Sequence, residues 1–446
     1  STLQEEGYAL AKVDPPIAYA DDNKHVIDVL YKAEPGPKVG IGPIAINGLK
    51  KVHEGVVRDA ITVGPGQTYQ PTKIEEARQS ILSLGVFSSV GVHAADEQDA
   101  SGNIPLTFDV TERKMHAVSV TAAYSTDLGA SLSGSWSHRN LFGNAEQLNL
   151  SAAVNGVGGS ATNSLGYNAT AQFLKPMFWA RNQTLEVDIG ALKQSLEAYD
   201  QTVESGAVYL KRKFSVLWSG SAGLTGERDQ VEQEGISRTY DLISLPVTVG
   251  YDSTGLTGIL EDPTRGVRAT FSIIPTLPFN HASPFVTLQA AGSAYIDASD
   301  WTNQKPGRSV IAVRGLVASI QGAGQFDLPP DRRLYVGGSG TVRGYKYQSI
   351  GPLFPSGNPQ GTTSADAASV EFRQRIGDDL GFAVFADAGQ ASTTGVPFTG
   401  TPFLGVGAGV RYYTSIGPIR ADVAIPLSRQ ASGDAFEIYI GLGQSF

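Results

Sequence analysis

Seven residues carry the most specific chemical signal in this chain. Val342, Arg343, Gly344 and Tyr345 stand together within VGGSGTVRGYKYQSIGP, and Phe385, Asp387 and Gly389 form F-x-D-x-G within VFADAG. On an extended strand the last three share one face, opposite Phe382, Val384, Ala386 and Ala388. The apolar face suits lipid, which turns Asp387 inward if the strand belongs to a barrel. A lone carboxylate in a wet lumen is hydrated and needs no partner, and an arginine in a loop can be an ordinary exposed charge. A long loop folded into the lumen would instead bring Arg343 to Asp387 and be pinned by charge-assisted hydrogen bonds. Glu371, in Val370-Glu371-Phe372-Arg373, reads as water-facing or as a further loop anchor.

Other chemistries find little support. Gly338-Ser339-Gly340 is followed by Thr341, so no G-x-S-x-G elbow exists. His25, His53, His93, His116, His138 and His281 are scattered without an H-E-x-x-H pair. Gly64-Pro65-Gly66 opens no phosphate loop, and with Cys 0 neither disulfides nor thiolate metal sites can form. No catalytic residue, metal site or cofactor is assigned. A net charge of −9 argues against a nucleic-acid partner. A barrel-shaped enzyme and a passive channel or secretion pore stay open as alternatives.

The elements that must position these residues fall into two regimes. Over 1–113 the chain alternates helical and strand patterns. A short helix is expected at 2–10 and strands at 25–33 and 39–46. A helix follows at 53–63. Thr72-Lys73-Ile74-Glu75 reads as a capping box opening a second helix, with Ile74, Ala77, Ile81 and Leu84 on one face and Gly85 as its C-terminal cap. Strands at 86–93 and 104–110 complete a strand-helix-helix-strand-strand order over 38–113. A generic small α+β domain would show the same order. Ser1 reads as a cut end.

From Met115 onward helical periodicity gives way to alternation broken by Gly, Asn, Asp and Pro. Phe436, Ile438, Ile440, Leu442 and Phe446 oppose Glu437, Tyr439, Gly441, Gly443 and Ser445. Leu404, Val406, Ala408, Val410 and Tyr412 oppose Gly405, Gly407, Gly409, Arg411 and Tyr413. Val118, Val120, Ala122 and Tyr124 oppose Ala117, Ser119, Thr121 and Ala123. A polar face that recurs strand after strand reads as a wet lumen. Connections at 377–379 and 414–417 are tight, those at 389–402 and 426–434 longer, and 321–365 is the longest. Strands of about 10 residues imply an all-β transmembrane barrel of about 16 antiparallel strands over 114–446. No run of about 18 apolar residues is present for a membrane helix.

These motifs together resemble the outer-membrane barrel-insertase superfamily, which includes BamA, TamA, the mitochondrial Sam barrel and the two-partner secretion transporters. The resemblance rests on the V-R-G-Y loop, F-x-D-x-G, Gly407-Ala408-Gly409-Val410-Arg411, Gly417-Pro418-Ile419-Arg420-Ala421-Asp422, Asp262-Pro263-Thr264-Arg265-Gly266 and Phe446. It covers nearly the whole chain, least over 155–261, and the compact barrel looks most like TamA. It implies that 37–113 is a complete POTRA domain and 1–36 the C-terminal part of another. It also implies an outer-membrane barrel, a periplasmic N-terminal module, unfolded outer-membrane and autotransporter clients, an inner-membrane-anchored TamB-like partner, and contact with outer-membrane lipids. The expected activity is client-strand templating at a lateral seam formed by Val118, Val120 and Ala122 of the first barrel strand and Ile440, Gly441, Leu442, Gly443 and Phe446 of the last. Gly441 and Gly443 would weaken that seam, or simply fit the curvature of the wall. The alternatives are a BamA-like general insertase and a two-partner secretion transporter.

Overall fold

The computed structural model describes residues 2–21, 26–256, 261–415, 417–428 and 433–446. The chain divides into two compact units: residues 1–117 with 137–148 and 175–181, and the remainder.

In the first unit Ile41–Asn47 runs parallel to Ile104–Glu112, which pairs antiparallel with Phe87–Ala94. Helices Glu54–Ala60 and Pro71–Leu82 pack on this sheet. Ile74, Ala77 and Ile81 recur at helical spacing and are buried with Val57, Val86 and Phe108 in one core. Residues 2–34 form the helix Thr2–Glu5 and a nested hairpin, in which Lys12–Val13 pairs with Ala33–Glu34 and Ile17–Asp21 with Val26–Leu30. His25, expected to begin a strand, lies outside the described residues.

The expected capping box is corrected by the structure. Pro71 takes the first helical position, where its fixed φ and missing N–H are tolerated, and Gln70 is the cap residue without a side-chain bond. Thr72 is therefore already inside the helix. Glu5 accepts its N–H at 3.0 Å and its hydroxyl at 2.6 Å, so a carboxylate from another segment serves the helix start. Glu75 binds Arg78 and Gln79 instead. Ser83, not Gly85, is the C-terminal cap; Gly85 makes the reversal that follows, with φ +75°.

The second unit is a closed barrel. Its strands are β1 (His116–Ser125), β2 (Gly129–His138), β3 (Gln147–Val157), β4 (Gly166–Pro176), β5 (Gln183–Ser195), β6 (Asp200–Lys213) and β7 (Trp218–Gln233). Next come β8 (Ile236–Ser244 continued by Val247–Asp252), β9 (Gly266–Pro278), β10 (Phe285–Asp297), β11 (Ser309–Gln321) and β12 (Ser364–Ile376). β13 (Leu380–Ser392), β14 (Phe403–Thr414), β15 (Gly417–Pro426) and β16 (Glu437–Leu442) complete the ring. The two segments of β8 count as one strand because both pair with β7 and with β9. The break falls at Leu245-Pro246, where proline brings no N–H to the ladder. The wall thus has sixteen strands among the described residues.

Alternation of chemistry follows the pleat. Leu404, Val410, Tyr412, Ile419, Val423 and Ile425 face outward, while Arg411, Asp422 and Ala424 are buried inside. No described helix is long and apolar enough to cross a membrane, and the apolar outer face is the surface a bilayer would cover. Between residues 155 and 320 the alternation in the sequence is less regular, for a physical reason. β6 and β7 have 14 and 16 residues, more than the 9–11 or so that span a bilayer. Toward Asp200 and Gln233 their outward positions turn polar (Glu204, Arg228, Glu232) while inward Val203 and Val231 are buried, so the polarity of the alternation inverts.

One carboxylate organises the link between strand Ile41–Asn47 and helix Glu54–Ala60. Glu112 Oε1 accepts the N–H groups of Lys50, Lys51 and Val52 at 2.7, 2.9 and 2.9 Å. Burial opposes its charge, but the three N–H donors outweigh burial and hold the carboxyl below its ordinary value. Its stabilising contribution is complete above the unfolded pKa, about 4.3, and is lost as pH falls through the depressed folded value. Glu112→Gln is expected to destabilise this unit by about 1–3 kcal/mol and to flatten that acid dependence, both read from urea unfolding at a series of pH values.

Candidate functional site

Residues 322–363 connect β11 to β12 through two short 3₁₀ turns, Gln325–Asp327 and Pro330–Arg332. The tip of this loop carries Val342 and Arg343 at 0 % and 1 % exposure. Arg343 Nε and Nη2 reach Asp387 Oδ2 and Oδ1 at 2.7 and 2.9 Å, a bidentate pair, and the Arg343 N–H adds a third bond to Oδ2 at 3.0 Å. Nη1 reaches Glu371 Oε2 at 2.7 Å. The guanidinium lies 3.3 Å from the centroid of Phe385, so its faces as well as its edges are engaged.

The glycines of the motifs are spaces for this loop. A Cβ on Gly389 would stand 2.6 Å from Val342 Cγ2, and one on Gly405 would stand 2.0 Å from Arg343 O. Gly344 turns the tip with φ +92°, and its N–H donates to Tyr439 Oη on β16 at 3.2 Å. Tyr345 Oη lies 2.9 Å from both Leu404 O and Ser428 O, to one of which it donates its hydrogen, with its ring edge-on to Phe403.

Glu371 and Asp387 do not face water: they are 0 % and 1 % exposed. Glu371 is the hub of a larger cluster. Its Oε1 accepts from Arg373 Nε at 2.8 Å and lies 3.6 Å from Arg411 Nη2, and its Oε2 accepts from Ser445 Oγ at 3.1 Å. Arg411 also holds Asp422 at 2.5 Å. Asp422 fits only because Gly409, its register partner, has no side chain. In such a cluster the Coulombic gain mainly offsets desolvation, but losing one member strands a buried charge.

The last strand departs from expectation. Its ladder stops at Leu442, so Gly443 and Phe446 are not strand residues. Gly443, at φ +87°, donates to Pro418 O at 2.7 Å and turns the chain into the lumen. Gln444 then bridges Arg411 (3.0 Å) and Asp262 (2.9 Å). Phe446 packs on Tyr295, Val310 and Ala312, beneath the guanidiniums of Arg314 and Arg373.

β16 meets β1 through two register pairs, Tyr439 with Ser125 and Ile440 with Tyr124, where β12 and β13 share thirteen. Just beyond, Thr126 N donates to Ile438 O at 3.0 Å, and the Thr126 hydroxyl binds Glu437. In the other direction Gly441 and Leu442 have no partner on β1. Val118 and Val120 are 74 % and 71 % exposed, against 38 %, 49 % and 62 % for Val313, Val423 and Val410 on strands flanked on both sides. Ala122 is exposed as well.

The sequence shows Arg373, Arg411, Asp422 and Asp262 within motifs, and Tyr439 and Ser445 on the polar face of the last strand, but assigns none of them a role. Nor does it mark a second anchor of the long loop. Arg332 binds Glu227 of β7 and lies 2.9 Å from Asp331, while Arg333 donates to Gln233 Oε1 and Gln360 O, each at 2.8 Å. Adjacent arginines in a polar loop carry no spacing that separates an anchor from a solvated charge.

Removing one partner of a buried pair costs about 3–5 kcal/mol. Arg343→Ala and Asp387→Ala are therefore expected to free the loop tip, and Gly389→Val to displace it by bulk with every charge kept. All three variants should keep the folded barrel's mobility on semi-native gels and show new protease cleavage within 336–350. A protected loop in all three would contradict the anchoring.

An Omp85 superfamily domain model matches residues 140–446, and a POTRA model (surface antigen variable number repeat) matches residues 39–113. The outer membrane protein assembly factor BamA of Neisseria meningitidis serogroup B is 22 % identical, the alignment covering 99 % of this chain and 60 % of that protein. BamA of Nitratidesulfovibrio vulgaris is 24 % identical, covering 96 % of this chain and 54 % of that protein. The chain thus spans a little over half the length of these relatives. BamA from Haemophilus ducreyi lacking POTRA domains 1–3 superposes with a TM-score of 0.75 at 17 % identity, covering 99 % of this chain and 91 % of that one. CdiB from Acinetobacter baumannii does so with 0.68 at 14 %, covering 99 % and 79 %. At these identities the superpositions speak for the fold. The Omp85 model accounts for well over half of the residues, including the loop, the ion cluster and the last strand, and the chain belongs to the Omp85 superfamily.

Proposed function

We propose that this protein is an outer-membrane protein assembly factor that lowers the barrier to inserting β-barrel clients by offering its own seam as a template. The observation that carries this reading is the joint between β1 and β16, held by two register pairs. An unpaired strand edge in hydrocarbon costs several kcal/mol for each unsatisfied backbone group. No nucleotide or electron carrier is expected outside the inner membrane, so the protein acts on the barrier and not by supplying energy. A weakly closed barrel exposes an edge at low cost, and a client strand pairs with it by β-augmentation. The two relatives above are named as outer-membrane assembly factors, which supports the same class.

The barrel sits in the outer membrane in this reading, with the N-terminal unit in the periplasm. The clients are unfolded outer-membrane proteins. Residues 1–36 are the end of a preceding POTRA domain, and the sheet edges of 37–113 receive clients or accessory partners. In the reading's finer form the clients include autotransporters and the partner is an inner-membrane-anchored, TamB-like protein. The ion cluster around Arg343 fixes the loop tip against β16, through Gly344 and Tyr439, and so sets how readily the seam parts. Arg343→Ala and Asp387→Ala are then expected to lower assembly activity more than barrel folding.

Two measurements test the seam. Single cysteines at Val120 and Leu442, in a chain with Cys 0, are expected to trap a cysteine-scanned autotransporter strand as register-specific disulfides during its assembly. Trapping only at lumenal positions such as Asn155, without register, would favour a secretion pore instead. The double variant Tyr124→Cys, Ile440→Cys links register partners. When oxidised it is expected to lose assembly activity, and reduction should restore it; an oxidised variant of full activity would remove the seam from the mechanism.

A further inference from the structure

A cavity of about 480 Å³ lies on the lumenal side of the frayed seam. Thr121 and Ala123 of β1, Ser131 of β2, Asn155 of β3 and Tyr439 and Gly441 of β16 are among its walls. Hydroxyls, amides and small apolar groups dominate the lining, and Arg420 is the one charged side chain among its described residues.

Arg420 lines this space beside its register partner Gly441, where a Cβ would come into ordinary contact with Arg420 Nε at 3.7 Å. Its side chain is 16 % exposed, and Nε is buried without a hydrogen-bond partner. Nη1 makes one long bond, 3.3 Å, to Asp422 Oδ2, and Asp422 gives its other oxygen to Arg411 at 2.5 Å. One carboxylate is thus shared by two guanidiniums, and Arg420 holds the weaker share. A guanidinium offers five donors in a fork that fits a carboxylate, and a poorly paired one in a half-dry cavity is a site waiting for an anion.

The neighbouring backbone indicates what brings that anion. β1 has no β16 partner beyond Tyr124, so the edge facing the cavity presents free N–H and C=O groups. A strand added to that edge projects every second side chain into the cavity. We propose that Arg420 is the receptor for a carboxylate carried by the incoming strand, either an acidic side chain at a lumen-facing position or the strand's own C-terminal carboxylate. The inference rests on the strand-templating reading and adds a chemical preference to it: edge pairing supplies affinity, and Arg420 selects and sets the register.

Four fluorescein-labelled decapeptides of alternating apolar and polar residues test this. They combine a free or amidated C-terminus with Glu or Gln at one lumen-facing position, and their binding to the full chain in nanodiscs is read by anisotropy. Removing the decisive carboxylate is expected to weaken binding at least tenfold, and the arm that shows the loss identifies its source. Arg420→Gln should erase the difference and Arg420→Lys should restore part of it. Gly441→Val, which puts bulk into the cavity beside the guanidinium with its charge in place, should weaken the preference as Arg420→Gln does and guards against a folding defect in that variant. Equal binding of all four peptides to the wild type overturns the role of Arg420 and leaves templating intact. Failure of all four to bind overturns templating, and the carboxylate site with it.

Discussion

A guanidinium buried inside a barrel wall cannot be left alone. Water would solvate it at no cost, so its burial must be offset by fixed partners on every side. Arg343 has two carboxylates on its edges and the Phe385 ring on its face. That single requirement explains much of the surrounding sequence. β12 and β13 must offer Glu371 and Asp387 on the same lumenal side. Gly389 and Gly405 must lack side chains so that the loop can approach. Gly344 must turn, since its φ of +92° is one that residues with side chains rarely adopt.

The cluster also ties the loop tip to the last strand and its tail, through charge and through backbone. Glu371 takes Arg343 on one oxygen and Arg373 on the other, Ser445 follows from the tail, and Gly344 meets Tyr439 directly. The tail that Gly443 turns inward supplies ligands to the cluster and by the same act leaves the seam. Each residue spent on the interior is one fewer in the ladder with β1. The geometry therefore places a firmly held loop beside a sparsely paired joint.

The barrel and the N-terminal sheet were legible because their signals are local. Alternation with period two distinguishes a wall with one wet and one greasy face. Helical spacing at Ile74, Ala77 and Ile81 marks the buried stripe of a helix. Errors arose where a distant residue intervened. Thr72 reads as a cap until Glu5 reaches it from elsewhere in the chain, with Pro71 setting the helix start. For Glu371 the sequence left two readings, water-facing or a loop anchor, and only the folded loop placing Arg343 on it separates them.

From residue type and spacing alone came the class of fold, the strand number within its expected range, and the motifs containing Arg343, Glu371 and Asp387. These depend on interactions between neighbours along the chain or on the two faces of one strand. Tertiary structure alone decided that Glu371 would be shared among three arginines, that β16 would stop at Leu442, and that Phe446 would lie inside the barrel and not along its seam. The physical reason is that burial and charge compensation are properties of a site, assembled from segments far apart in sequence. A one-dimensional pattern records which faces meet, but not which charges are left without water.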